Sequence, residues 1–514
     1  MIPNDVIVVS PFIAAVLVAL AVLVVDLVAP GKRAPVIVVS LVGLAIVAGL
    51  TLYVGSHDEM GRIIKSLGLT SGGGDPDSLR VTAFGGAYVV DGLTTFLDII
   101  FIGIVALTIV FAPDYLEARG LPMAEFSMVL LFAMTGAMLI SASADLLVLF
   151  VALELMVLPG YMLAGYHKTD GYSTEGAIKY FLLGSFSSAI FLFGLAFTWG
   201  ATGTTSIAGV SAALQAIVSG GAAVSPALVM GLGFLTTGVA FKIAAVPFHY
   251  WTPDAYQGSP TPVTGYLSVG PKVGAFALIL RLFVDALGPL RADWLQVVVI
   301  LAILTMTLGN LVALTQNNVK RMLAYSSIAH TGYMLVGLAA FAAGRIEGLQ
   351  GLLYYGAAYS VMNLGAFAVV AAIQRRSGVT SGLETFAGLV RREPWLAILM
   401  TLFLLSLTGI PPTAGFFGKA YVILAAVQAS EAGWTSLGIL AVVAVLNAAA
   451  AAFYYLRVVV YMFMREPRSE EAPLGHGALM WGGLAVASVL TVALGLVPGP
   501  FLDIVGQAAR AIGG

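Results

Sequence analysis

The chain has 514 residues, of which 60% are hydrophobic and 10% charged; its formal net charge is −2 and it has no cysteine. An ordinary soluble domain is about a quarter charged, and no soluble surface could cover so much apolar side chain, so the composition indicates a polytopic membrane protein. The small net charge gives no electrostatic basis for a nucleic-acid partner, and the missing cysteines exclude disulfides, thiolate-held iron–sulfur clusters and cysteine zinc sites.

The N-terminal MIPNDV has no basic stretch and no small-residue cleavage site, so a cleavable signal peptide is not expected. A helix needs roughly 20 apolar residues to cross hydrocarbon. Segments near 6–28, 34–54, 91–112, 125–142, 144–164, 176–199 and 226–247 meet that need, although Asp91 and Asp98 fall in the third. Seven more follow near 262–285, 294–315, 321–343, 348–373, 394–427, 435–462 and 477–498, which gives fourteen. The twelfth is too long for one straight crossing and contains Pro411 and Pro412. Of the longer loops, 55–90 holds the turn-rich SLGLTSGGGDPDSLR, and 200–225 predicts a short surface helix between glycine-rich ends.

Basic residues test the count. The odd-numbered loops hold Lys32, Arg33, Arg119, Lys168, Lys320, Arg321, Arg375, Arg376, Arg391, Arg392, Arg465 and Arg468. The even-numbered loops hold only Arg62, Lys65, Arg80, Arg291 and Arg345. Cytoplasmic loops are the basic ones, so both termini are expected on the outer side.

Ionisable residues inside hydrocarbon are costly and face protein or water. Glu154, Lys272 and Lys419 lie well inside their segments, while Lys179 and Lys242 are near enough to an end to snorkel. A lysine shielded from water becomes able to exchange its proton, and a nearby carboxylate opposes that change. Pro247 interrupts the seventh segment as Pro411 and Pro412 interrupt the twelfth. Irregular backbone at membrane depth is tolerated beside protein or a water-filled cavity, and the glycines at 409, 415 and 418 permit non-helical angles there. A lysine lies near each break. His249 lies beside the first break and His330 inside the tenth segment, and an imidazole can relay protons. His57, His167 and His476 lie in loops or at membrane edges. No metal-ligand spacing and no glycine-rich nucleotide fingerprint is present. Each block of five segments, 4 to 8 and 9 to 13, has its break in the fourth. Five is odd, so consecutive blocks are inverted, which is a transporter architecture.

Three stretches carry a family resemblance: FKIAAVPFHYWTPDAYQGSPTPVTGYLSVGPKVGAF, NNVKRMLAYSSIAHTGYMLVG and LSLTGIPPTAGFFGKAYV. Together they resemble the antiporter-like subunits of NADH–quinone oxidoreductase, and GAIKYFLLGSFSSAIFLFGLAFTWG is most similar to the subunit N branch. The chain stops soon after the fourteenth segment, without the long lateral C-terminal helix of the family's subunit L. The resemblance implies an all-α polytopic fold of about fourteen helices, two inverted five-helix repeats and broken seventh and twelfth helices. The corresponding parts are 1–112, a five-helix unit at 125–285, a second at 294–462 and a C-terminal part at 477–514. The resemblance further implies that Glu154, Lys179, Lys242, Lys272, His330 and Lys419 form a proton path, with His249 beside the first break as an added candidate. It implies no cofactor in this chain. NADH, flavin, iron–sulfur clusters and quinone belong to partner subunits, which include other antiporter-like and small membrane subunits in a bacterial plasma membrane. A subunit of a sodium/proton antiporter or of a membrane-bound hydrogenase shares this pattern, and a structural spacer held by ion pairs is a third reading.

Overall fold

The computed structural model describes residues 3–55, 80–221, 224–374, 380–467 and 475–512. Arg62, Lys65, Arg375, Arg376, Arg468 and His57 lie outside these residues. Eleven helices among the described residues are long and apolar enough to cross a membrane. In chain order the main helices are α1 (Ser10–Val28), α2 (Arg33–Gly55), α3 (Gly92–Phe111), α4 (Met123–Ser141), α5 (Leu146–Ala164) and α6 (Gly171–Thr202). Then come α7 (Pro226–Lys242), α8 (Trp251–Gly258), α9 (Thr261–Ile279, extended by a wider turn to Ala286), α10 (Arg291–Thr315), α11 (Val319–Ala342) and α12 (Ile346–Ile373). The last are α13 (Pro394–Thr408), α14 (Ala414–Glu431), α15 (Thr435–Met464), α16 (Ala478–Leu496) and α17 (Pro498–Arg510).

Every predicted segment contains helix. Two are split, at α7/α8 and α13/α14. With α11, these split helices make up the segments outside the eleven. Polar residues start several helices by accepting the free N–H groups of the first turn: Asp91 for α3, Asp145 for α5, Asp170 for α6, Ser225 for α7 and Asn318 for α11. The helix expected in 200–225 is Ile207–Ser219.

Two elements were not expected. A hairpin of β1 (Val81–Ala83) and β2 (Tyr88–Val90) pairs Val81 with Val90 and Ala83 with Tyr88. The other is α17, whose Phe501 ring sits 5.9 Å from Phe96 and 5.5 Å from Tyr354. Short strands and a half-polar surface helix lack the long apolar run on which the segment count relied.

The core runs through the middle helices. All of α9 from Thr261 to Ile279 is buried, and so is most of α12. α9 packs on α3, α4, α5 and α12, whereas α1 and α2 turn Leu17, Val24, Val38 and Val42 outward. Such apolar surface meets lipid tails at no cost.

Loop contacts sort the two ends of the bundle. At one end Arg33 pairs with Glu117 at 2.7 Å, Arg119 donates to the Gln374 carbonyl at 3.1 Å, and Lys320 donates to the carbonyls of Gln257 and Ser259. At the other, Arg281 pairs with Asp91 and Arg345 donates to the Gln428 carbonyl. The odd-numbered loops so linked gather at the first end and the even-numbered ones at the second.

Each end also carries a similar clasp. The backbone of Leu146 donates to Thr205 and that of Ile207 to Ala144, while the Thr205 hydroxyl donates to the Asp145 carboxylate at 2.6 Å. The backbone of Val319 donates to Ser381 and that of Leu383 to Asn317, while the Ser381 hydroxyl donates to Asn318 at 2.9 Å. The first clasp ties the start of α5 to the segment after α6; the second ties the start of α11 to the segment after α12.

Candidate functional site

The first break follows directly from Pro247, which has no N–H and cannot continue a helix. α7 ends at Lys242, and Ala244 takes a positive φ of 57°. The chain then turns with the Ala245 N–H on the Ala240 carbonyl at 2.8 Å and the Phe248 N–H on Ala245 at 2.7 Å. Three of the groups freed by the break find side-chain partners. The Trp251 indole donates to the Phe241 carbonyl at 3.1 Å, the Thr331 hydroxyl to the Ile243 carbonyl at 2.8 Å, and the Val246 N–H to the Thr305 hydroxyl at 3.0 Å. Free backbone at membrane depth is satisfied here by neighbouring helices.

The second break repeats that backbone course. Gly409 takes φ 91°, the Ile410 N–H bonds the Leu405 carbonyl at 3.1 Å, and the Thr413 N–H bonds Ile410 at 3.3 Å. Here the freed carbonyls of Leu407 and Thr408 accept from the Lys419 ammonium at 2.9 and 2.8 Å. A β-carbon on Gly409 would sit 3.0 Å from the Lys419 Cδ, so glycine meets both the backbone angle and the approach of the lysine.

Lys242, Lys272 and Lys419 are 7%, 3% and 5% exposed. Lys242 donates to the Ser188 hydroxyl at 2.9 Å and lies within electrostatic reach of Glu154. Among the described residues Glu154 has no hydrogen-bond or ion-pair partner, and its Oε1 is buried. Lys179 is 42% exposed and does not pair with Glu154. Its ammonium sits 2.6 Å from Glu175 and 2.7 Å from Asp254, whose other oxygen holds Arg321 at 2.7 Å.

Lys272 is set into α9 directly after Pro271. That proline leaves the Leu267 carbonyl without its helical donor, and the Tyr256 hydroxyl supplies one at 2.9 Å. The Lys272 ammonium donates to the carbonyl of Ser327 and to its hydroxyl, the latter at 2.6 Å, and lies 5.5 Å from the centre of the Tyr359 ring. His330, one turn on from Ser327 along α11, is 1% exposed. Its Nδ1 is 2.6 Å from the Tyr355 hydroxyl and its Nε2 3.1 Å from that of Tyr455, which also bonds Ser326. One turn further, the Tyr333 ring lies 4.8 Å from the Lys419 ammonium. Lys272, His330 and Lys419 are thus joined by hydroxyls and aromatic faces on α11, α12 and α15.

Ser327, Tyr333, Tyr355, Tyr359, Tyr455 and Asp254 were missed in the sequence. Hydroxyls in apolar runs barely disturb hydropathy. The only signal was the density of tyrosine in GLLYYGAAYS and AAFYYL. His249 is not brought to any of the lysines. It stacks on Tyr250 at 4.6 Å, and its Nδ1 is buried without a partner.

Comparisons with known proteins bear on the family and the fold. Residues 143–446 match the family model described as the NADH:quinone oxidoreductase/Mrp antiporter transmembrane region. The chain is 41% identical, over 84% of its length and 86% of the relative's, to an NADH-quinone oxidoreductase subunit N of Trichlorobacter lovleyi. Among solved structures it is similar to a chain of respiratory complex I from Thermus thermophilus with bound aureothin, at TM-score 0.76 and 32% identity, covering 96% of this chain and 98% of that one. A chain of the Mrp complex from Dietzia sp. shares the fold at TM-score 0.79 and 22% identity, covering 100% of this chain and 98% of that one.

Proposed function

The chain belongs to the NADH:quinone oxidoreductase/Mrp antiporter family as a subunit-N-like membrane-arm subunit, and from that premise we infer how its own residues move protons. The buried run Lys272–Ser327–His330–Lys419 is the observation that carries the reading. A proton enters from the cytoplasmic side to Lys242, whose charge answers to Glu154. It passes through Lys272 to His330, which is held between two tyrosine hydroxyls and can take a proton on one nitrogen while releasing one from the other. Lys419 receives it in the second half. Lys179 acts at the entrance, where Asp254 and Glu175 compete with Glu154 for its charge. His249 serves beside the first break. Redox chemistry in partner subunits of the membrane-bound complex supplies the energy, and NADH, flavin, iron–sulfur clusters and quinone act there rather than in this chain.

The finer topology belongs to the same proposal. The eleven long helices, α11 and the two split pairs give fourteen crossings. The two clasps at opposite ends and the two matching breaks support a pair of inverted five-helix units, 125–285 and 294–462, between parts 1–112 and 477–514. The basic end is the cytoplasmic one, with both termini outside.

The test is quinone reduction and proton uptake, measured together in vesicles and normalised to assembled complex. Lys272→Met leaves the complex assembled and cuts proton translocation. Lys272→Arg fails as well, because a guanidinium does not release its proton. A normal rate and proton-to-electron ratio in both variants would remove Lys272 from the path.

A further inference from the structure

α10 packs on α11 and α15 but has no residue in the path above. Much of it faces outward, with Val297, Ile300, Leu304 and Leu311 exposed. One polar side chain departs from that pattern. Asn310 is 0% exposed and reaches from α10 to Tyr333 of α11 and to Asn447 and Tyr454 of α15. A buried amide is costly unless it is hydrogen-bonded, so the partners of Asn310 show what it is for.

Glycines bring so short a side chain within reach. A β-carbon on Gly309 would sit 2.7 Å from the Ala329 nitrogen, and one on Gly332 would sit 2.7 Å from the Met306 nitrogen. Small residues let two membrane helices approach backbone to backbone in this way. Gly309 adjoins Asn310, Ala329 adjoins His330 and Gly332 adjoins Tyr333. α10 and α11 therefore cross at the stretch of α11 that carries His330 and Tyr333.

The hydrogens of the amide can be counted. The Asn310 Nδ2 lies 2.9 Å from the Met306 carbonyl, 3.1 Å from the Asn447 Oδ1 and 3.5 Å from the Tyr333 hydroxyl. An amide nitrogen has two hydrogens for these three acceptors. The Met306 carbonyl takes one, and the Tyr454 hydroxyl, donating to the amide oxygen at 3.0 Å, fixes which way the group points. The second hydrogen is divided between Asn447 and Tyr333, and the contact with Tyr333 is the looser one. Asn447 gives its own hydrogens to the Val443 carbonyl at 3.0 Å and the Thr307 hydroxyl at 3.3 Å.

We propose that Asn310 is a positioning residue for proton transfer at Lys419: it holds the Tyr333 hydroxyl, and with it the ring that lies 4.8 Å from the Lys419 ammonium. An aromatic face so placed favours the charged lysine, so the hold on the ring acts on the proton-loaded state. Asn447 competes with Tyr333 for the same hydrogen and sets how firmly the ring is held. The inference rests on the place of Lys419 in the lysine path, so the experiment includes a variant of that lysine.

Proton translocation and thermal unfolding are measured in vesicles with the assembled complex for Asn310→Leu, Asn447→Leu and Lys419→Met. Asn310→Leu is expected to lower translocation about tenfold, the worth of one buried hydrogen bond. Asn447→Leu lowers the unfolding temperature but leaves translocation at the native rate, because the freed hydrogen passes to Tyr333. Equal losses of translocation in these two variants would make the asparagine pair a structural lock and overturn the proposal. Native translocation in Asn310→Leu beside a blocked Lys419→Met overturns the assignment of Asn310 alone; native translocation in both overturns the place of Lys419 in the path as well. Tyr333→Phe removes only the hydroxyl that Asn310 holds, and it decides the matter where Asn310→Leu does not assemble: a tenfold loss supports the proposal and a native rate overturns it. Where both assemble, the double variant is expected to lose no more than either single one, and losses that multiply would sever Asn310 from Tyr333.

Discussion

The two broken helices use one backbone device and dress it differently. Positions 244 to 248 match 409 to 413 in both positive φ and hydrogen bonds, a shift of 165 residues. In the first break an indole and a threonine hydroxyl cover the freed carbonyls, and Lys242 points away to Ser188. In the second, Lys419 itself covers them. By the same shift Lys419 stands where Asp254 follows the first break, a carboxylate that holds a lysine and an arginine. The backbone provides a place for charge, and the side chains decide whether that charge is part of the break or stands beside it. One consequence is that proton release from Lys419 loosens the bonds that finish its own break, whereas release from Lys242 leaves the first break intact.

The largest test of this contrast exchanges the lysines. Lys242→Met and Lys419→Met each reduce proton translocation by about a hundredfold. Only Lys419→Met also leaves two buried carbonyls bare, at about 1–3 kcal/mol each, so only that variant lowers the thermal unfolding temperature of the complex. Equal stability in the two variants would break the contrast.

The hinge residues differ next. Gly409→Ala places a β-carbon against Lys419 and holds an ordinary residue at positive φ, costing about 1–2 kcal/mol. Ala244→Gly removes a similar penalty and is neutral or slightly stabilising. Denaturation of the two purified complexes compares them, and a harmless Gly409→Ala would show that Lys419 does not need its present approach.

A smaller effect belongs to Trp251→Phe. It removes one hydrogen bond from the first break, costs about 1 kcal/mol, and leaves proton translocation near the native rate. A collapse of pumping in this variant, with assembly intact, would mean that the first break is as much a part of conduction as the second. The smallest effect is that of Asp254→Asn, whose ion pairs are partly exposed and worth about 0.5 kcal/mol. It removes one of the two carboxylates that hold Lys179 and shows as a change in the salt dependence of pumping rather than in stability.

The sequence made the helices legible because lipid demands long apolar runs, and segment ends fall within a few residues of the helix ends for most of the chain. It made the buried lysines legible for the same reason, since a charge in such a run stands out. What it hid was pairing. Lys179 lies one helix from Glu154 in the chain, yet its ammonium is held by Asp254, 75 positions away. Ser327 and the tyrosines around His330 are ordinary letters in an apolar stretch until the helices are assembled. α17 and the β1–β2 hairpin escaped because both owe their shape to surfaces made by other helices.

The complete enclosure of α9 bears on how the protein is made. Ribosomes deliver α9 before α11, so Lys272 enters the bilayer when Ser327, its later partner, does not yet exist. An isolated lysine at mid-helix opposes insertion by about 2.5–3.5 kcal/mol, and the mean hydropathy of 1.7 in the best window of α9 provides the opposing drive. α11 falls outside the set of helices apolar enough to insert by composition, and only Gln316–Asn318 separates it from the strongly apolar α10. The two helices that carry Lys272 and His330 therefore lean on their neighbours during biogenesis, and a change that spares the finished site can still fail at the translocon.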